Sequence, residues 1–452
     1  MQSREVTRAC ECLRRFLTVY RQGIGKEIMQ LFRNIRKHPL LDLLITSKDN
    51  SKALILMEPL WGIPFHLLAP FATLYMFKQG ITEVQIGLLI SISMMGQLIF
   101  SLFSGVITDK LGRLVSTAVG EITGWSLAAF VWAISNNFWL FLLAVLFHSS
   151  SRIPINSWQC LLIEDAKQKD LLGIFTWVHI GGLVAVFFAP ISGLLIDRYT
   201  LIPVVRGLYL FFGINTVIKG ILTYKCCVET KQGEIRKEET KALSIRILMQ
   251  EYKGVIPRIV RSPAILKIVA ISSLLHVAMM VNGTFFGLYV TTKLGVEERF
   301  LAFFPIINAM VMMIFMFVIQ HRIAYIKMRI PLWIGLVIFA ICHTSLILFP
   351  PNLLYLIIIN LFFVAVASAL VMPRTEAMMQ LALEPQERAR ILAIIMSFTI
   401  AFAAPFGFVA GFLSSIDRRL PFVLTTILFV IALVIVCCIK DNEFKATKST
   451  EV

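Results

Sequence analysis

The chain has 452 residues, 58% hydrophobic and 15% charged, with a mean hydropathy of +0.80 and a formal net charge of +16. That much apolar surface cannot be hidden in one water-soluble core, so lipid must be the solvent and the chain reads as an all-α polytopic membrane protein. The basic excess invites a nucleic-acid partner, but Lys and Arg collect in the N-terminal arm, the middle loop and short even-numbered loops, as positive-inside topology requires, and nucleic-acid binding is disfavoured.

Residues 1–50 read as a basic amphipathic arm. Leu13, Phe16, Leu17, Tyr20, Ile24, Ile28, Leu31, Phe32 and Ile35 recur at helical spacing, with Arg14, Arg15, Arg21, Lys26, Arg33 and Arg36 between them. Such a helix suits an anionic cytoplasmic leaflet, where it anchors the protein. The first strong apolar run begins near Ala53 and is too long for a signal-peptide core. Twelve spans follow, at about 54–77, 84–108, 114–134, 138–163, 171–195, 203–225, 264–290, 300–320, 330–349, 353–374, 390–414 and 420–440. An even number puts both termini on one side, and the basic arm and the tail (442–452) assign that side to the cytoplasm of a plasma-membrane protein. The one long interior gap, 226–262, divides an N-terminal bundle (51–225) from a C-terminal bundle (263–441).

Span one carries Glu58-Pro-Leu-Trp61-Gly-Ile-Pro64 and then His66, and span seven carries Asn282-Gly283-Thr284. Helices bent at related positions commonly line transporter sites, so both are expected to bend, with Trp61, Asn215, Asn282 and Asn308 as cavity groups. Between spans two and three lies a nine-residue hairpin in which Gly105, Asp109, Lys110, Gly112 and Arg113 stand at fixed spacing. Gly112 supplies a conformation that strains other residues, Asp109 is an acceptor for backbone or basic donors, and Lys110 and Arg113 hold the turn at the basic interface. This spacing resembles the loop 2–3 signature of the major facilitator superfamily, the twelve-helix secondary transporters. The resemblance covers residues 53–440 and implies a gating role for the hairpin, with Asp109 bracing the cytoplasm-closed state against the other bundle.

Polar groups inside the spans are expensive and informative. Glu121 lies two turns into span three and is suited to carry a proton; Glu58 either shares that task or reaches water at its helix end. In span four, His148, Arg152, Asn156 and Gln159 share one helical face. A guanidinium is always charged, so Arg152 must pair with an acid, for which Glu121 and Glu58 are the candidates, or bind an anion. The drug-antiporter branch has a comparable arginine in span four, but Ile155 and Asn156 stand where that branch has Gln-Gly. Ala189-Pro190 in span five likewise matches its pattern only in part. His66, His148, His179, His276 and His343 lack ligand spacing, so no metal site is expected. The eight cysteines suggest reduced thiols rather than a disulfide framework.

The halves also resemble each other. Leu74-Tyr75, Gly80 and Glu83 find counterparts in Leu288-Tyr289, Gly295 and Glu298; Gln97 to Phe100 in Met312 to Phe315; Pro154, Gln168 and Ala189-Pro190 in Pro373, Gln386 and Ala404-Pro405. The separation stays between 214 and 219 residues throughout, as expected of two pseudo-symmetric six-helix bundles. The hairpin has no clean copy in the second half, where His321-Arg322-Ile-Ala324-Tyr-Ile-Lys327 lacks the acid and both glycines. No phosphate-binding loop, nucleophile elbow or paired-carboxylate motif is present, so neither a cofactor nor enzymatic activity is expected. The expectation is a monomeric, proton-coupled transporter working by alternating access and exporting a small amphipathic or drug-like molecule. Uptake of a small anionic solute through Arg152, or a lipid translocase aided by the basic arm, are the alternatives.

Overall fold

The computed structural model describes residues 50–167, 170–240, 262–319, 326–381 and 388–439. The amphipathic arm, the tail, residues 321–325 and the Gln168–Gln386 pair of the repeat lie outside them.

No strand occurs among the described residues, and eleven helical stretches there are long and apolar enough to cross a bilayer. Span one is Asn50–Lys78, span two Glu83–Leu111, span three Arg113–Ile134, span four Phe138–Ile163, span five Gly173–Tyr199 and span six Leu201–Cys226. A short linker helix, Lys231–Thr240, follows. Span seven is Pro263–Thr292, span nine Arg329–Leu348, span ten Leu354–Met379, span eleven Ile394–Ile416 and span twelve Leu420–Cys437. Span eight starts at Phe304 and continues through a π-helical stretch, Phe315–Ile319, to the edge of the described residues, which is why its described part falls short of a full crossing.

The internal duplication is visible as a shared joint. The Tyr75 hydroxyl donates to the carbonyls of Trp132 and Ser135, both at 3.1 Å, and the Tyr289 hydroxyl donates to the carbonyl of Leu346 at 3.0 Å. Trp132 follows Tyr75 by 57 residues, as Leu346 follows Tyr289. Both rings are buried, where a phenol needs such a partner. The turns after spans one and seven match too, with Gly80 at φ +84° and Gly295 at φ +71°.

Helix breaks are unevenly shared. Span one is interrupted by a 3-10 turn at Ala69–Phe71 containing Pro70, span four by a turn at Ser150 and Ser151, and span five at Phe187 and Phe188 just before Pro190. Span three widens into a π-helical stretch at Glu121–Ser126. Span seven, expected to bend at Asn282-Gly283-Thr284, is instead one continuous helix, Pro263–Thr292. A glycine leaves the backbone ladder intact, so it permits a bend without forcing one.

One core runs through both bundles. Its seal lies on the side opposite Asn50 and Ile439, where the described residues begin and end. A Cβ on Gly87 of span two would sit 2.9 Å from the Gly411 Cα of span eleven, and one on Gly407 would sit 3.0 Å from the Gly87 carbonyl oxygen. Small residues let the two backbones meet, and the Ser91 hydroxyl accepts from the Phe408 N–H at 2.8 Å. Three ion pairs cross between the bundles at this side: Lys78–Glu298 at 2.8 Å, Glu83–Arg418 at 2.8 Å and Asp197–Arg299 at 3.1 Å. Glu83 and Glu298 mark the repeat in the sequence; in the structure they are also latches.

Candidate functional site

The N-terminal bundle encloses a cavity of about 430 Å³ lined by spans one, two, three, four and six. Its charged floor is a group the sequence reading did not assemble. Lys219 of span six reaches Glu121 of span three at 3.0 Å and Glu58 of span one at 3.3 Å. Lys219 and Glu121 are each 3% exposed. The Lys219 ammonium also lies 5.8 Å from the ring centroid of Trp158, a weaker cation–π contact. Glu121 opens the π-helical stretch, and its second oxygen is buried without a partner among the described residues. A π-turn displaces one residue from the regular ladder and often marks a functional position. Lys219 was legible as a charge in an apolar span; its proximity to the basic end of span six concealed it.

Arg152 was expected to pair with one of these acids. It does not, because Lys219 holds both. The Arg152 Nε donates to the Gln97 side-chain oxygen of span two at 2.9 Å, and no carboxylate pairs with it among the described residues. Arg152 begins the helix after the Ser150 and Ser151 turn, which places it at mid-span. His148 lies between the rings of Trp125 and Trp132, at 5.1 and 5.3 Å between centroids. Trp61 stacks on Phe65 at 4.7 Å and meets Trp125 edge-on at 5.4 Å. His148, Arg152 and Gln159 line the cavity, while Asn156, expected on the same face, turns toward span two, 3.5 Å from the Thr108 hydroxyl. Asn156 lies in the same unbroken helix as Arg152 and Gln159, and it is its contact with span two that takes its amide away from the cavity.

A second cavity, of about 320 Å³, lies in the C-terminal bundle between spans seven, ten and eleven. Met279, Met372, Met379 and Met396 dominate its wall, with His276 and Glu376 among its polar groups. His276 lines it from span seven and Glu376 from span ten. His66 packs against Phe65 and lines neither cavity. Asn282 and Asn308 line neither as well, Asn308 being exposed, and Asn215 donates to the Phe211 carbonyl of its own helix at 2.8 Å. Side-chain direction around each helix separates these residues from the cavities, and apolar periodicity alone does not specify that direction.

The hairpin forms a separate node. Gly112 sits at φ +91° between spans two and three, against the Glu229 carboxylate of the linker. Glu229 accepts from the backbone N–H groups of Arg113 at 3.0 Å and Leu114 at 3.2 Å, satisfying donors at the start of span three. Arg113, buried, bridges Asp109 at 2.9 Å and Glu164 at 3.1 Å. Asp109 in turn receives Arg236 of the linker helix at 3.0 Å. These hydrogen bonds to Asp109 hold the Arg236 guanidinium above its ordinary pKa. Gly105 lies one turn before Asp109 in span two, and Lys110 lies at that helix's end. In this state Asp109 is therefore held by its own bundle and the linker.

A family model described as Major Facilitator Superfamily matches residues 61–332 and 323–452. The quinolone resistance protein NorA of Staphylococcus aureus is 32% identical over 78 residues, 17% of this chain and 20% of NorA, so the match spans a fifth of that relative's length. Among solved structures, the nucleoside transporter NupG is similar at a TM-score of 0.66 and 14% identity, over 86% of this chain and 98% of NupG. A POT family transporter in complex with 5-aminolevulinic acid reaches 0.64 at 13% identity, over 86% of this chain and 94% of that one. A bacterial homolog of the human lysosomal transporter Spinster, inward-facing and unoccupied, reaches 0.65 at 13% identity, over 88% of this chain and 98% of that one. At these identities the likeness is one of fold. The family model, by contrast, extends over both bundles and the linker between them: the chain belongs to the Major Facilitator Superfamily.

Proposed function

We propose that this chain is a monomeric, proton-coupled exporter of a small amphipathic molecule, working by alternating access in the plasma membrane with both termini in the cytoplasm. The observation that carries the proposal is the buried Lys219–Glu58–Glu121 cluster in the wall of the N-terminal cavity. With all three groups ionised the cluster carries one net negative charge; a proton on the free Glu121 oxygen makes it neutral. That change gives a proton a different interaction energy in each conformation, which is what coupling requires. Intramembrane carboxylates of this kind commonly serve proton relays. The stretch shared with NorA, a protein named for quinolone resistance, supports export of a drug-like molecule.

With the terminal side in the cytoplasm, the seal through Gly87, Gly407 and Gly411 closes the outer face. The mechanism then has the bundles part at that seal while the hairpin side closes. The test is efflux of a fluorescent quinolone from proteoliposomes under an imposed pH gradient, with Glu121→Gln beside the unaltered chain. Gradient-driven efflux that becomes gradient-independent in Glu121→Gln is the expected result. Efflux indifferent to both the gradient and the substitution overturns proton coupling through Glu121.

A further inference from the structure

We infer that the transported molecule is an amphipathic anion, its oxyanion head seated on Arg152 between the two bundles and its apolar body against the methionine wall. This deepens the reading of the chain as a transporter of small amphipathic molecules and rests on it.

Of the four ionised side chains around the N-terminal cavity, three form one compact cluster in which both carboxylates are engaged by Lys219. Arg152 stands outside it, a cation at mid-span with a neutral amide for its partner. Arg152 is half-buried, and a charge partly withdrawn from water beside a neutral partner gains from an anion that joins it. Gln97 occupies the Nε–H and orients the guanidinium plane. The terminal N–H groups remain for a ligand, and that planar fork suits a carboxylate or another oxyanion.

The surroundings fit the same ligand. His148, one turn before Arg152, lines the same cavity, and His276 lines the methionine-walled cavity from span seven of the other bundle. Glu376, the acid on the methionine wall, is exposed and makes no ion pair with Arg152 among the described residues. Four methionines supply a polarisable, adaptable surface for an apolar body. Trp61, Trp125 and Trp158 add aromatic faces on the opposite wall. An anion with its head on Arg152 and its body on the methionine wall would touch both bundles, which would link occupancy to their relative position.

The test uses three dansyl probes that differ only at the head: dansyl-aminohexanoate, its uncharged amide, and the amine dansyl-cadaverine. Binding to the full chain in phosphatidylcholine nanodiscs is read by energy transfer from tryptophan to dansyl, with no gradient present, so the result is independent of proton coupling. The carboxylate is expected to bind about ten-fold more tightly than the amide, and the amine least tightly. Arg152→Gln should abolish the preference while amide binding persists, and Arg152→Lys should restore part of it. Persistent amide binding also shows that the variant is folded. Equal affinity for the three heads, tighter binding of the amine, or no binding of the carboxylate overturns the inference. Adding phosphatidylglycerol to the nanodiscs separates the two sources of an oxyanion. Unchanged affinity supports the small amphipath, whereas displacement of the probe assigns the seat to a lipid headgroup and overturns it.

Discussion

In the N-terminal bundle, spans one, three, four and five each depart from a regular α-helix, whereas in the C-terminal bundle spans seven, ten and eleven run unbroken. Proline alone does not account for this. Pro373 and Pro405 lie inside continuous helices, while their counterparts Pro154 and Pro190 follow breaks. At Pro154 the difference lies in the neighbours. Before Pro154 stand three serines, and the hydroxyls of Ser149 and Ser150 take up the carbonyls of Val145 and Phe147, both at 2.8 Å. A serine hydroxyl offers the backbone an alternative to its own ladder, so the helix can end there without stranding a polar group in lipid. Before Pro373 only the first of these serines has a counterpart: the Ser368 hydroxyl takes up the Val364 carbonyl at 2.9 Å, as Ser149 does Val145, but Ala369 and Leu370 stand where Ser150 and Ser151 do. The buried Lys219–Glu58–Glu121 cluster and Arg152 belong to the broken bundle, and the methionine wall to the continuous one. The two halves divide the labour: one supplies a buried ion-pair cluster on interrupted helices, the other a methionine-rich wall on the continuous spans seven, ten and eleven.

Substitutions at paired positions can break this contrast. The largest effect is expected at Lys219. Lys219→Met leaves Glu58 and Glu121 buried without their counter-charge and should lower stability by about 3–5 kcal/mol, measured by denaturation in detergent. Ser272, the residue of span seven that matches Glu58 in the repeat, shares its cavity with the exposed Glu376 rather than with a buried ion pair, and Ser272→Ala should stay within about 0.5 kcal/mol. A comparable loss at both positions would mean that the charged cluster is not what distinguishes the bundles.

A smaller effect is expected at the seal. Gly87→Val places a branched side chain against the backbone of span eleven and should cost about 1–3 kcal/mol while opening the sealed side to thiol labelling. Gly283→Ala, in the unbent span seven with nothing within 4 Å of the new carbon, should leave labelling unchanged and gain up to about 1 kcal/mol. Loss of activity in Gly283→Ala with the fold intact would reveal a bend in span seven that this state does not show.

At the shared joint, Tyr75→Phe removes a hydroxyl that serves two carbonyls and also accepts from Arg206 at 3.3 Å, whereas Tyr289→Phe removes one carbonyl contact and a bond from Arg419. Both should destabilise by about 1 kcal/mol, with Tyr75→Phe the larger. The smallest effect belongs to the linker. Arg236→Gln frees Asp109 from the linker helix and should cost less than about 1 kcal/mol, because the pair is partly solvated. Spin labels on the linker helix and span two should nonetheless report a wider distance distribution. An unchanged distribution would show that Glu229, through its bonds at the start of span three, holds the linker by itself.

Span boundaries, the six-plus-six division and the register of the repeat were legible in the sequence because each rests on local and additive quantities. A run of apolar residues must cross lipid whatever its neighbours do, and a duplicated turn keeps its glycine, as Gly80 and Gly295 show. The hairpin was legible for the same reason: Gly112 needs a backbone conformation that few residues adopt. The importance of Glu58, Glu121 and Arg152 could be read from the expense of charge in a membrane. Their partners could not. Glu121 meets Lys219 from 98 residues away in the chain, and Arg152 meets Gln97 from 55. Rotation and tilt of packed helices decide such pairings, and these follow from how small residues such as Gly87 and Gly411 let backbones approach. The sequence by itself determined a twelve-span, two-bundle membrane protein with costly charges at mid-depth. Only the tertiary structure decided which charges neutralise one another, because that depends on which helix faces meet.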